Sequence, residues 1–523
     1  MPKKKKRAIR AERERRQGSR DLNLDVLLVI FNYLDKANQL RCAQVCKHWR
    51  TAVYHPSLWT NYLFCVMEDG LNAETATSLK ERDIKTVSLR LNKFRQNEPS
   101  GSPHHQSTLK TLASCANVAE IQTLLLLGRP SPAPPECTMN EMVLCPKFPS
   151  SFETLHSLLI YNVDLLEASL QAALGALSNL HTLHMKWQYP VPAYHGPSFR
   201  YESKEYSFDF LSMILKELPS LKDLEIQSCA YSGWGKEGFS ISDDIAVLPN
   251  LERLAIYDQF NDMIRPQHLR DILQKFPSLK HIDLWLNTEH HSGNSQQQLQ
   301  LPTINSVQSL CQNGQNIRDP IEHCYVLFRA IFPNLSALDL SFCGVCHKPF
   351  DEETVSLLTE HAPNLEVLRL EGYTMMTDEQ LQQMLFQMSQ LKVLIIKLTV
   401  AVWEGNPFKE GLIISSDSQL RSLLLIARGH TTFTPDLFFG LERVKYLWWN
   451  NECKVKQRVH NPNSQEDEWK VVPSGSEGWK EATGWNYFHL PDSFCAESHM
   501  QYSGLPSTEY NLLNNLRLSK EEC

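Results

Sequence analysis

The phrase Pro-[Asn/Ser]-Leu-x-x-[Leu/Ile]-x-[Leu/Ile] begins at Pro219, Pro249, Pro277, Pro333 and Pro363, at intervals of 30, 28, 56 and 30 residues. A period of this length marks an array of stacked units, because one short unit cannot cover its own apolar face and must bury it against the next. Since 56 is twice 28, the middle of the array holds a unit that is either degenerate or replaced by an insertion. The Gln- and Asn-rich stretch from His290 to Gln300 favours an exposed insertion, placed near 287–318. Looser copies without the proline begin at Ile84, Ile121, Leu155, Leu180, Leu391, Leu420 and Val444, giving twelve candidate units in all.

Between these apolar alternations the pattern switches to helical spacing, as at Phe210, Leu211, Ile214, Leu215 and Leu218, or Leu269, Ile272, Leu273 and Phe276. Another helix is expected from Asp319 as cap and Pro320 at the first helical position, continuing through Cys324, Leu327, Phe328 and Ile331. Each unit therefore reads as strand, loop and helix. The fold class is α/β, with short parallel strands lining the concave face of a curved solenoid and helices on its convex face.

Residues 21–64 stand apart from the array. Leu24, Leu27, Leu28, Phe31 and Leu34 form one apolar stripe at helical spacing, with Asn23 placed to cap it. Cys42, Val45, Cys46 and Trp49 form a second stripe, read as one amphipathic helix of three turns after a turn around Asp35 to Asn38. His55-Pro56-Ser57-Leu58-Trp59 then supplies a breaker and two large apolar residues. So small a unit cannot easily bury this many large side chains alone, so a partner surface is expected.

These blocks, Asp21 to Asp35, Val45 to Arg50 and Pro56 to Trp59, resemble the F-box family in order and spacing. One departure is Leu22-Asn23, where the family usually has Leu-Pro. Asn can start a helix by capping where Pro presets its first turn. The resemblance implies docking to the Skp adaptor, and through it to a cullin scaffold with its RING subunit. Leu24, Leu27, Ile30, Phe31, Leu34, Pro56 and Leu58 are the expected contacts, while Val45, Trp49 and Trp59 are expected to hold the domain together. The array at 80–450 resembles the leucine-rich-repeat solenoid of F-box proteins. Such a chain recruits a protein substrate to a ubiquitin ligase and is not itself an enzyme. The alternative is a scaffold or nuclear assembly factor built from the same modules.

In a repeat solenoid, residues between the buried leucines point to the concave side. Reading each Leu-x-Leu gives Glu225, Ala255, Asp283, Asp339, Arg369, Ile395, Leu424 and Trp448, with Tyr257, Trp285, Glu371, Lys397 and Ile426 two positions later. Asp283, Trp285, Asp339, Arg369, Glu371, Ile395, Leu424 and Trp448 are the candidate substrate contacts. Trp and Arg are the types enriched in binding hot spots. Exposed Ile395, Leu424, Ile426 and Trp448 would form a large dry patch, unless the tail at 451–523 folds back over it. That tail carries Trp469, Trp479, Trp485, Tyr487 and Phe488, aromatics that need a surface, either the open end of the solenoid or a partner.

The net charge of -7 is uneven: residues 1–20 hold ten Lys and Arg against Glu12 and Glu14, leaving about -15 for the remainder. Lys3-Lys4-Lys5-Lys6-Arg7 is similar to a nuclear import signal, the bland alternative being a solvated arm. Nucleic-acid affinity through this arm is expected to be weak and salt-sensitive, because the acidic body gives it no help. No apolar run approaches the ~20 residues of a membrane-spanning helix, and no secretory signal follows the basic start. A nuclear or cytoplasmic location is expected, with most of the fourteen Cys as small buried thiols.

Cys343-Gly344-Val345-Cys346-His347 has the spacing of a haem-attachment motif, and with further ligands would suggest zinc. Its place directly after Leu338 and Leu340 makes Cys343 a small buried repeat residue instead, like Cys229 after Leu224 and Ile226. His104-His105 and His290-His291 fall in polar loops and are read as solvated. No cofactor and no metal are expected.

Overall fold

The computed structural model describes residues 22–59, 62–67, 72–90, 120–127, 141–142, 154–161, 164–165, 174, 177–186, 214–228, 248–258, 273, 275–287, 303–315, 331–346, 352–373, 378–398, 412–413, 418–427, 438–439, 444–448, 456–460, 467–472, 476 and 481–482, some strand ends by backbone alone. The chain forms two compact units, Met1–Arg129 with Cys137–Leu180, and Pro130–Glu136 with His181–Cys523.

The first unit opens with helices α1 (Leu24–Asn32), α2 (Lys36–Cys42) and α3 (Lys47–Val53) and a single 3-10 turn at Pro56–Leu58. It continues with β1 (Leu63–Met67), α4 (Ala73–Glu81), β2 (Thr86–Arg90), β3 (Thr123–Leu127), β4 (Glu141–Met142), β5 (Ser157–Tyr161) and β6 (Asp164–Leu165). Strands β1, β2, β3 and β5 pair in that order, all parallel, and β4 with β6 makes a separate short pair. The corner before each of two strands turns through a left-handed residue, Asp83 at φ 53° before β2 and Glu120 at φ 51° before β3. Lys85 holds both corners, 2.6 Å from Asp83 and 3.3 Å from Glu120.

The second unit contains β7 (Thr182–Lys186), β8 (Asp223–Ser228), β9 (Arg253–Asp258), β10 (His281–Asn287), β11 (Ser309–Gln315), β12 (Ala337–Cys346), α5 (Glu352–His361), β13 (Val367–Tyr373), α6 (Asp378–Gln387), β14 (Val393–Leu398), β15 (Leu412–Ile413), β16 (Ser422–Ala427), β17 (Phe438–Phe439), β18 (Tyr446–Trp448), β19 (Lys456–His460) and β20 (Asp467–Val471). From β7 to β14, then β16 and β18, each strand pairs with the next in parallel. β19 and β20 then add antiparallel, so the tail residue Trp469 belongs to the last strand of the sheet. This is the parallel-strand architecture expected of leucine-rich repeats.

The repeat phrase locates the strands. The first leucine of each phrase, or its looser equivalent, stands two residues before a strand, as Leu221 before Asp223, Leu335 before Ala337 and Val444 before Tyr446. Among the described residues, these positions and the following Leu-x-Leu pair are buried, for example Leu335, Leu338 and Leu340.

The expected insertion near 287–318 is corrected in part. β11 lies between β10 and β12 in register, with His281, Ser309 and Ala337 aligned 28 residues apart. The middle unit is therefore degenerate and present. It is hard to see because Asn305, Val307 and Gln312 stand where Pro, Leu and Leu occur in the phrase, yet Val307 and Leu310 are still buried. Of the expected helices, Ile214, Leu215, Leu218, Leu273 and Phe276 are buried, while the segment from Asp319 to Leu327 lies outside the described residues. No helix of the described residues is long and apolar enough to cross a membrane.

Candidate functional site

Local signals build the N-terminal helices. Asn23 is the N-cap of α1, its side chain accepting the Asp25 amide at 3.4 Å, and Asp35 caps α2 through the Asn38 amide at 2.7 Å. The second apolar stripe is not one helix. Cys46 takes an extended backbone at φ -161° and caps α3 with its thiol, splitting the stripe into α2 and α3. Val45 falls in the link between them and is 58% exposed, so it does not serve the core as expected.

The core is instead built by Leu27, Phe31, Ala52, Val53 and Trp59, all buried. Phe31 meets Trp49 edge-on at 5.3 Å, and the Trp59 indole donates to the Val53 carbonyl at 2.7 Å. Gln39, a polar residue outside both apolar stripes, is buried and ties α2 to α1 by donating to the carbonyls of Phe31 (2.7 Å) and Leu34 (3.1 Å). His48 donates to the Leu22 carbonyl at 2.9 Å. Lys36 lies over the rings of Trp59 and Tyr62 and donates to the Leu58 carbonyl. Burial pulls its ammonium down to about 8.

Of the residues expected at a partner surface, Leu27 and Phe31 point inward and are closed off. Leu24, Leu34 and Leu58 are half-buried, and Ile30 and Pro56 are exposed. The accessible apolar strip is a different one. Val26, Val29, Ile30 and Tyr33 are exposed at spacings i, i+3, i+4 and i+7, with Val29 at 61% and Tyr33 at 85%. α1 is thus apolar on two faces. One face fills the domain and the other stands in water, and Leu40 and Val45 add exposed apolar surface to the same domain. The signal was present in the sequence as a second helical stripe offset from the first.

The strand residues expected to face a substrate occupy the row foreseen for them. Asp283, Cys311, Asp339, Arg369, Ile395, Leu424 and Trp448 are in register across β10 to β18. Those whose side chains are described are not exposed. Asp283, Asp339, Arg369, Ile395 and Leu424 are all buried, the last two at 4% and 0%. The dry patch expected at Ile395 and Leu424 is therefore covered, as parallel sheets are commonly covered on both faces. For Tyr257, Trp285, Glu371, Lys397, Ile426 and Trp448 the register is given, but their side chains lie outside the described residues.

Several buried polar residues of the sheet are paired. Arg369 contacts Asp339 at 3.0 Å. Arg253 reaches across from β9 to Asp223 at 2.7 Å and Glu225 at 3.3 Å, while His184 lies 3.1 Å from Asp223. Burial by itself would raise the Asp223 carboxyl, but the hydrogen bonds and positive charge of His184 and Arg253 prevail and hold it far below the usual carboxylate range. Burial, reinforced by the carboxylates of Asp283 and Asp339, pushes the Cys311 thiol well up, which makes it a poor nucleophile.

Cys343 and Cys346 belong to β12, but their side chains and His347 lie outside the described residues. So do Cys229, Lys3 to Lys6, Arg7, the pairs His104-His105 and His290-His291, and Trp479, Trp485, Tyr487 and Phe488. Among the described residues no group of three or more His, Cys, Asp or Glu side chains could hold a metal ion.

Solved structures similar to this chain include the following two. One is the Rad7 and Elc1 complex in yeast, at 16% identity over 70% of this chain and 93% of that chain, with a TM-score of 0.29. The other is a leucine-rich-repeat protein of Leptospira interrogans, at 16% identity over 72% and 86%, with a TM-score of 0.30. Likenesses this slight carry no weight for function. The family model for F-box-like domains matches residues 24–65, the segment running from α1 into β1. Its three helices, the Asn23 cap and the core around Phe31 and Trp59 agree with that match, and the chain thus carries an F-box-like domain together with parallel-strand repeats of the leucine-rich kind.

Proposed function

We propose that the chain is the substrate-recognition subunit of a Skp-cullin-F-box ubiquitin ligase. The observation that carries this reading is the exposed strip Val26, Val29, Ile30 and Tyr33 on a domain that matches the F-box-like family. Apolar side chains repeating along one helix in water are what a partner helix or groove covers. The strip docks the Skp adaptor, the adaptor joins the cullin and its RING subunit, and the repeats hold a protein substrate. The chain contributes proximity: it raises the effective concentration of a substrate lysine near the charged ubiquitin carrier and breaks no bond itself. The basic run Lys3 to Arg7 directs import to the nucleus in this reading.

The test is purification of the intact protein from cells, followed by identification of the Skp adaptor and cullin in the sample. Val29→Asp with Tyr33→Asp should abolish that association while leaving thermal unfolding unchanged. Absence of a cullin from the unmodified protein would overturn the ligase reading. A scaffold without ligase activity is the second reading, and the covered strand row favours it, because Asp339, Arg369 and Leu424 are not open to a substrate as the structure stands.

A further inference from the structure

Beyond β20 the second unit brings two residues back onto the start of strands β16 and β18, two positions before the row of Leu424 and Trp448. The Ser422 hydroxyl donates to the main-chain carbonyl of Ala482. The Glu481 carboxylate accepts from Lys445 Nζ at 2.8 and 2.9 Å and from the Tyr446 hydroxyl at 2.8 Å. Ser422 and Tyr446 are register partners on β16 and β18, and Lys445 directly precedes β18. The Ala482 methyl is wholly buried, whereas Glu481 and Lys445 remain about half exposed at the rim.

These contacts amount to a small recognition site. An ammonium and a phenol receive a carboxylate, a buried hydroxyl receives the neighbouring carbonyl, and the slot closes around a methyl group. Burial raises the Tyr446 hydroxyl, so it stays protonated and donates at neutral pH. Burial would raise Glu481 too, but the hydrogen bonds from Lys445 and Tyr446 prevail and keep it ionised.

We propose that Glu481-Ala482 is a built-in surrogate for an external ligand, and that the subsite of Ser422, Lys445 and Tyr446 takes an acidic peptide segment of a partner protein, an Asp or Glu followed by a small residue. The partner displaces the chain's own pair. This rests on the repeats being protein-binding and is independent of docking through the F-box-like domain. Displacement is feasible because the outer anchor is a half-exposed ion pair, which water and salt weaken. The tethered pair nonetheless competes well, since its attachment gives it a high effective concentration.

The experiment uses the full chain and a fluorescent peptide copying residues 478–485, followed by anisotropy. Glu481→Arg places like charge beside Lys445 and frees the subsite, so the variant should bind the peptide at least about tenfold more tightly than the unmodified chain, the scale that removing a tethered competitor allows. The gain should vanish when the peptide's Glu is replaced by Lys, or when Lys445→Glu is added to the variant. Glu481→Gln should show a smaller gain with an unchanged melting curve. No gain in either variant overturns the proposal. So does a lowered melting temperature with no peptide binding, which would make the pair a structural cap. Co-purification of the Skp adaptor is read on the same samples. Its loss from the unmodified chain would count against the ligase reading alone.

Discussion

On α1 and its C-cap, Val29 and Tyr33 stand in water, whereas in the second unit Glu225, Arg253 and His184 are buried among strands. Both regions depart from the rule that apolar side chains go in and charges stay out, in opposite directions and with different energetics. An exposed valine on a folded helix costs the fold almost nothing, and its burial energy remains available to a partner. A buried carboxylate costs much unless a cation meets it, and here Arg253 does so. Exposed apolar surface thus points outward to a binding event, and buried charge points inward to the uniqueness of a packing arrangement.

The largest expected effect lies on the buried side. Arg253→Leu leaves Asp223 and Glu225 without their guanidinium, and removing one partner of such a group should cost about 3–5 kcal/mol. Denaturant unfolding of the second unit checks this, and a loss below about 1 kcal/mol would show that water reaches the cluster. Next comes Leu27→Ala on the inner face of α1, where a fully buried leucine makes a cost of about 2–5 kcal/mol expected. The same measurement should show it as a lower midpoint for the first unit.

A smaller effect depends on pH. The Lys36 ammonium has a folded value of about 8, lowered by burial from 10.5 in the free side chain. Below pH 8 both states are protonated and the cost of burying the cation is fully present. Between about 8 and 10.5 the unfolded state holds more protons, so stability should rise with pH and then level off. Lys36→Met should abolish that rise. A wild-type curve that falls across this window in parallel with the variant would show Lys36 to be solvated and would bring it closer to the exposed side of the comparison.

How much of this was legible follows from what each signal depends on. Strand positions could be read because Leu335, Leu338 and Leu340 must be apolar in any stacked unit, and their spacing is local. The phrase alone leaves the unit at Ser309 open between degeneracy and insertion, because Asn305 and Gln312 replace Pro and Leu and only its neighbours hold it in register. The break at Cys46 is a backbone event inside an unbroken apolar stripe, so periodicity alone cannot show it. The side to which a residue points was readable, but whether that side is covered was not. Burial of Ile395 and Leu424 is a tertiary fact, and the reach of Ala482 to Ser422 spans 60 residues.

The smallest expected effect is also the sharpest test of the comparison. Val29→Ser removes apolar surface that already lies in water, so folding stability should change by no more than about 0.5 kcal/mol. Binding should respond differently, because the same side chain becomes buried only when a partner covers α1. If Val29→Ser weakens association with the Skp adaptor several-fold at unchanged stability, the outer stripe is under selection for contact and the inner stripe for folding. If the variant instead unfolds as Leu27→Ala does, Val29 is covered within the chain, and the distinction between the two faces of α1 fails.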